Sequence, residues 1–261
     1  MEEAQILKIA QTLDDARLKS EALPQFSSQI SNFIRGDAYS IQEEGIKIRS
    51  SRGEKITGLK MGLTSEGKRK QMNLDSPLYG VLTNKMEIQN AGTFYLKGSI
   101  HPKIEPEIAF YINKDLKGKI TREDVLAATE YIAPALEILD SRYIGFKYFS
   151  MEDVIADNSS SSHFIIGPKF TDFKSLDLLN LNMKMKINGE IKAEGISSDI
   201  SNDPVISVIQ LAELLSLRNQ FIPANTIVLA GAATLAISLE PNMLITLEVT
   251  GLETMSVSIK E

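Results

Sequence analysis

The spacing of apolar positions changes character near Gly53. Before it, Ile6, Ile9, Ala10 and Leu13 recur at three- and four-residue intervals, which predicts an amphipathic helix over 4–18. A second helical segment is expected within 25–48, where Phe33 and Ile34 are flanked by polar residues. After Gly53 the apolar runs become short, and strands are predicted over 94–97, 104–112, 131–141 and 226–232, with "KITGLKMGL" (55–63) read as a strand followed by a turn. "NMKMKINGEIK" (182–192) alternates around Asn188-Gly189, the dipeptide of a type I′ hairpin. Ile245, Leu247 and Val249 alternate with polar residues, and Met255, Val257 and Ile259 repeat the pattern past a turn at Gly251. Helices are predicted at 64–72, behind Thr64 or Ser65 as a cap, and at 121–130, where Glu123 and Asp124 fill the first turn. A third covers 203–217, with Pro204 near its start and a stripe of Val205, Val208, Ile209 and Ala212. A polar run, "VIADNSSSSHFIIG" (154–167), separates two apolar stretches. The expected architecture is α+β: a helical N-terminal subdomain over 1–52 and a β-rich body over 53–261.

Composition narrows the chemistry. Of 261 residues 43% are hydrophobic, enough for a substantial core, and the net charge is −6. No segment concentrates Lys and Arg, which argues against nucleic acid as a partner. No apolar run approaches the roughly 20 residues that span a bilayer, and the acidic, amphipathic N-terminus is unlike a secretory signal. These features lead us to expect a soluble cytoplasmic protein. With no cysteine and only two histidines, His101 and His163, thiolate catalysis is excluded and any metal would be held mainly by oxygens.

Against that background "IHPKIEPEIAF" (100–110) stands out. Glu105 and Glu107 lie two apart, hence on one side of a strand, within a segment made core-like by Ile104, Ile108 and Phe110. Like charges on one face repel, and burying them unpaired is costly. A solvated strand face answers that difficulty; so does a cation. Glu137, isolated in "APALEILD", supplies a third such acid. Three carboxylates without histidine suit a hard divalent cation, Mg²⁺ or Mn²⁺. Lys60 in "TGLKMGL" faces the side of Gly58 and Gly62, either with space for a ligand around its ammonium or as an edge-strand lysine that blocks aggregation. The serine run at 154–167 is either an ordinary loop or a carboxylate-binding one.

Together, "GLKMGLTSEGKRKQM", "SPLYGVLT", "HPKIEPEIAF", "PALEILDSRY" and "DVIADNSSSS" resemble the 2-oxopent-4-enoate hydratase / 4-oxalocrotonate decarboxylase family of the fumarylacetoacetate hydrolase superfamily. The resemblance is dense over 56–167 and continues through "IVLAGAAT". It implies a mixed β-roll of the fumarylacetoacetate hydrolase C-terminal-domain type with Mg²⁺ or Mn²⁺ held by Glu105, Glu107 and Glu137. It places the active-site lysine at Lys60 and has residues 158–161, including Asn158, Ser160 and Ser161, border a small 2-oxo acid substrate. It also implies a homo-oligomer, with a possible complex with a homologous hydratase.

Hydratases of the family carry an acid in a Q-P-D-F-G motif, where this chain has "SPLYG" with Leu78; that loss resembles the decarboxylase branch. So does "DSRYIGFKYFSMEDVIADN", with S-R-Y followed by spaced phenylalanines. A departure is "SNDPVIS" (201–207), where many members have G-H-P or G-N-P. The expected reaction is loss of CO₂ from 2-oxohex-3-enedioate, in aromatic-compound catabolism. No strong base is needed at the departing carboxylate, so Leu78 suits it, whereas hydration would call for an acid or base there. Lys60 is assigned to the developing oxyanion or the C1 carboxylate, and Arg142 to a substrate carboxylate or to the framework.

Overall fold

The computed structural model describes residues 1–65, 69, 74–146 and 150–261. Most of the helix expected over 64–72 lies outside them, as do Phe149 and the side chain of Phe146.

Two 17-residue helices, α1 (Glu3–Lys19) and α2 (Arg35–Ser51), lead the chain. Ile9, Ala10 and Leu13 of α1 are buried, as the helical spacing predicted. Ile34 is the N-cap of α2, so Phe33 and Ile34 precede the helix rather than belong to it. The body begins with β1 (Ile56–Gly62), β2 (Leu78–Thr83), β3 (Glu87–Ile88), β4 (Thr93–Tyr95) and β5 (Lys103–Ile112). Helix α3 (Arg122–Ala128) opens with Thr121 and Asp124 in a reciprocal capping box. It stops earlier than expected: Thr129 and Glu130 already belong to β6 (Thr129–Leu139). The run at 154–167 is likewise not a plain loop. It holds the end of α4 (Met151–Ala156), a tight turn (Asn158–Ser160) and β7 (Ser161–Ile166). The remaining elements are β8 (Asn182–Ile187), β9 (Glu190–Ile196), α5 (Pro204–Ser216), β10 (Thr226–Ala232), β11 (Ile237–Ser238), β12 (Leu244–Val249) and β13 (Met255–Lys260). Asn188 and Gly189 both have positive φ, 51° and 86°, as a type I′ turn requires. Asp203 caps α5 by accepting from the Val205 N–H, with Pro204 in the first turn.

The strands form two sheets. The larger runs β2-β1-β10-β5-β6-β7-β3 with β11 added to β5, and the smaller runs β4-β13-β12-β8-β9. β1 therefore lies inside a sheet, which removes the edge-strand reading of Lys60. The outermost strands of the larger sheet, β2 and β3, are joined by residues 84–86 alone, and the Phe164 N–H of β7 reaches the Met86 carbonyl at 3.0 Å. A path whose two ends are tied this closely must curl, and the sheet is a roll.

Alternation on β5 assigns its two faces. Ile104, Ile108, Phe110 and Ile112 point outward into the main core, beside helix residues such as Ile9, Leu13 and Ile41. Glu105, Glu107 and Ala109 point inward. Inside, Ala109, Ala133 and Ala135 are fully buried against Leu82, Phe164 and Leu229. These alanines keep the interior open enough for long side chains from neighbouring strands. No helix among the described residues is long and apolar enough to cross a membrane.

Candidate active site

Register brings the three acids together. Glu105 of β5 pairs directly with Glu137 of β6, and Glu107 lies one inward position along. Carboxylate oxygens of all three lie within 4.8 Å of one another. Glu107 and Glu137 are fully buried, while Glu105 reaches the surface of a cleft. A bulge in β10 between Leu229 and Ala232 turns the Gly231 N–H onto Glu107 Oε2 at 2.6 Å. Gly231 has φ 112°, and a Cβ there would lie 2.5 Å from Thr64, so no larger residue makes this bend. Glu107 Oε1 is buried with no hydrogen-bond partner among the described residues. Burial, then the charges of Glu137 and Glu105, pushes the Glu107 carboxyl well above the ordinary carboxylate range.

Lys60 is 2% exposed, and its Nζ stands 3.1 Å from Glu137 Oε2. Burial alone would lower its affinity for a proton; the Glu137, Glu105 and Glu107 carboxylates outweigh that and keep the ammonium above its usual pKa. The site thus holds three inward acids against the Lys60 ammonium, with an orphaned carboxylate oxygen. That donor set fits a hard divalent ion: it supplies oxygens alone and carries the negative charge such an ion neutralises.

The cleft above this floor has a volume of about 300 Å³, and Lys60, Glu105, Leu78, Leu139, Val154 and Ser159 contribute to its wall. Leu78 opens β2 opposite Gly62 and is 1% exposed. Gly62 and Lys60 both line the cleft, and Leu78 and Ser159 pack close on Gly62: a Cβ there would lie 2.8 Å from Leu78 and 2.9 Å from Ser159 Oγ. Leu139 and Val154 are additions to the sequence-derived set, whereas Ser159 lies within the expected 158–161 segment. Period two from Glu137 could have found Leu139; Val154 sits on a helix that the apolar pattern did not show.

Other expected residues lie elsewhere. Arg142 does not line this cleft. Its Nε binds the Asp157 carboxylate, and its Nη1 donates to the carbonyls of Asp140 at 2.6 Å and Ser161 at 3.2 Å. Its Nη2 bonds the Asp157 carbonyl, so the guanidinium is turned to the framework rather than to a ligand. The Asn158 amide is engaged with Val81 of β2, accepting at 2.8 Å and donating at 2.9 Å. Ser160 is buried with its backbone carbonyl on the Asp140 N–H. Ser161 Oγ donates to Glu137 Oε1 at 3.0 Å.

His163 is next to Phe164 on β7 and therefore faces away from Glu137, with Phe94 edge-on at 5.1 Å. Burial, then the nearby Arg49 and Arg17 charges, lowers its pKa to about 4. Against an unfolded value of about 6.5, the unfolded chain binds a proton between these limits that the folded chain does not. Stability therefore falls as pH drops through this window. We expect wild-type protein to lose on the order of 2 kcal/mol between pH 7 and pH 4.5 that His163→Gln does not lose; urea unfolding at the two pH values measures the difference.

The sequence matches the model of the fumarylacetoacetate (FAA) hydrolase C-terminal family over residues 61–260. It is 39% identical over 253 residues to a 4-oxalocrotonate decarboxylase of Pseudomonas sp, covering 97% of each chain. It is 40% identical over 199 residues to a 2-hydroxyhexa-2,4-dienoate hydratase of Comamonas testosteroni, covering 75% of each. The fold superposes with a TM-score of 0.96 on the 4-oxalocrotonate decarboxylase of Pseudomonas putida G7 complexed with magnesium and adipate, at 35% identity over 99% of this chain and 98% of that one.

Proposed function

The chain belongs to the fumarylacetoacetate hydrolase family, and on that premise we propose that it decarboxylates 2-oxohex-3-enedioate (4-oxalocrotonate) to 2-hydroxypenta-2,4-dienoate and CO₂. Glu105, Glu107 and Glu137 would hold Mg²⁺ or Mn²⁺. When bound, that ion supplies a Lewis acid beside the 2-oxo group.

The observation that carries the choice of reaction is Leu78. It stands in the cleft wall with Leu139 and Val154, close to Lys60. In the reaction the C5–C6 bond breaks and carbon 6 leaves as CO₂. The electron pair passes through C4 and C3 to the C2 oxygen, which ends with a proton. The apolar wall strips water from the departing carboxylate and puts no competing charge beside it. The Lys60 ammonium donates to the oxygen on which charge develops. Ser159 borders the substrate through its hydroxyl. The likeness to a hydratase keeps water addition to 2-hydroxypenta-2,4-dienoate as the second reading.

In this reading residues 1–52 form a helical subdomain on a catalytic body. The protein acts as a cytoplasmic homo-oligomer in aromatic-compound catabolism and can pair with a homologous hydratase. The test treats the protein with EDTA and follows CO₂ from 2-oxohex-3-enedioate and the ultraviolet band of the dienol. CO₂ release should stop and return with Mg²⁺ or Mn²⁺. Full release without a divalent ion, or loss of the dienol band with no CO₂ from the diacid, overturns it.

A further inference from the structure

Asn158, Ser159 and Ser160 have φ of 49°, 57° and 56°, three successive left-handed residues without a glycine. Such a run persists only where its surroundings over-determine it. Here two attachments do so. The Asn158 amide accepts from the Val81 N–H and donates to the Val81 carbonyl, the pair of bonds a neighbouring strand would make. It thereby bridges to β2, in which Gly80 makes room: a Cβ on it would lie 2.8 Å from the Asn158 carbonyl. On the other side the Ser160 carbonyl accepts from Asp140 at 2.8 Å.

The turn delivers Ser161 to the first position of β7, where its hydroxyl meets Glu137 Oε1 at 3.0 Å. Ser161 is 1% exposed and Glu137 fully buried, and neither is among the residues lining the cleft. The other oxygen of Glu137 stands by Lys60. A carboxylate held at one oxygen by a hydroxyl presents the other in one direction, which is how groups behind a ligand set its orientation.

We infer that Ser161 is a positioning residue that orients Glu137 as a metal ligand, that Asn158 anchors the turn carrying it, and that Ser159 is the hydroxyl of this run that meets substrate. This rests on the metal-site reading above and not on which reaction follows.

The test is Mn²⁺ binding to the full chain without substrate, read from the free-ion electron paramagnetic resonance signal. Ser161→Ala should weaken Mn²⁺ binding by about tenfold or more, and Ser161→Thr, which keeps the hydroxyl, should restore it. Asn158→Ala should weaken Mn²⁺ in the same direction. Ser159→Ala should leave Mn²⁺ affinity unchanged and weaken adipate, a six-carbon dicarboxylate, at saturating Mn²⁺. The inference is overturned if Ser161→Ala binds Mn²⁺ as wild type does but loses adipate, or if Ser161→Thr fails equally. Thermal melts of the metal-free variants detect unfolding; if Ser161→Ala does not fold, the Ser161→Thr and Asn158→Ala affinities decide. Failure of the decarboxylase reading appears separately, as absent CO₂ release by wild type that still binds Mn²⁺.

Discussion

Glu107→Gln is expected to abolish metal binding and CO₂ release while the metal-free protein melts at a higher temperature. Glu107 is fully buried; one of its oxygens accepts from Gly231 and the other has no hydrogen-bond partner among the described residues. It shares the roll interior with Glu137 and Glu105, whose charges push its pKa in the same direction as burial does. Burying like charges in this way is destabilising until a cation arrives. Glutamine keeps the volume and the Gly231 bond but removes one negative charge. We expect the metal-free variant to gain about 1–2 kcal/mol, or roughly 3–6 °C in melting temperature for a chain of this size. A neutral carboxamide is a poor ligand for a hard ion, so turnover should fall by about 10³-fold or more.

Added Mg²⁺ should then reverse the order of the two melting curves. Wild type gains about 2.7 kcal/mol when the ion is at a hundred times its dissociation constant, and the variant gains little. Scanning calorimetry with and without Mg²⁺ reads both effects. A variant that melts lower without metal, yet binds Mg²⁺ like wild type, would mean that Glu107 serves the fold alone.

The same conflict made the site legible in the sequence. Strand periodicity placed Glu105 and Glu107 on one face, and Ile104, Ile108 and Phe110 on the other marked the segment as core; both follow from local geometry. The Asn188-Gly189 hairpin and the Pro204 helix start were equally local. What stayed hidden depends on partners distant in the chain. Thr129 and Glu130 follow helix α3 without a glycine or proline to mark the break, and the strand starts where Thr129 pairs with Ile112 of β5. The strand at Ser161–Ile166 hides in a serine run whose polar groups are satisfied by Glu137 and the framework around Arg142. Arg142 itself reads equally as a substrate ligand or a framework residue until Asp157, fifteen residues on, is seen to hold it. The bridge from the Asn158 amide to Val81 of β2 has no local signature at all.

Leu78→Asp should suppress CO₂ release by about 10²–10³-fold, with Mg²⁺ affinity retained. The substituted carboxylate would enter a wall that Leu139 and Val154 keep apolar. Two carboxylates about 4 Å apart repel by on the order of 4 kcal/mol at an effective dielectric of 20, which accounts for a loss of that size. Lys60 borders the same cleft and can draw the new acid toward itself. An acid paired in this way is the group that water addition calls for, so slow hydration of 2-hydroxypenta-2,4-dienoate should emerge as decarboxylation falls. Leu78→Asn separates charge from shape: it brings polarity without the negative charge and should lose only about tenfold. Measuring kcat/KM for CO₂ release and dienol loss on both variants, with melting temperature as a control for the buried charge, tests the argument. If Leu78→Asp releases CO₂ within threefold of wild type, the apolar wall is not what selects the reaction. If Leu78→Asn and Leu78→Asp fall equally, packing at this position outweighs charge.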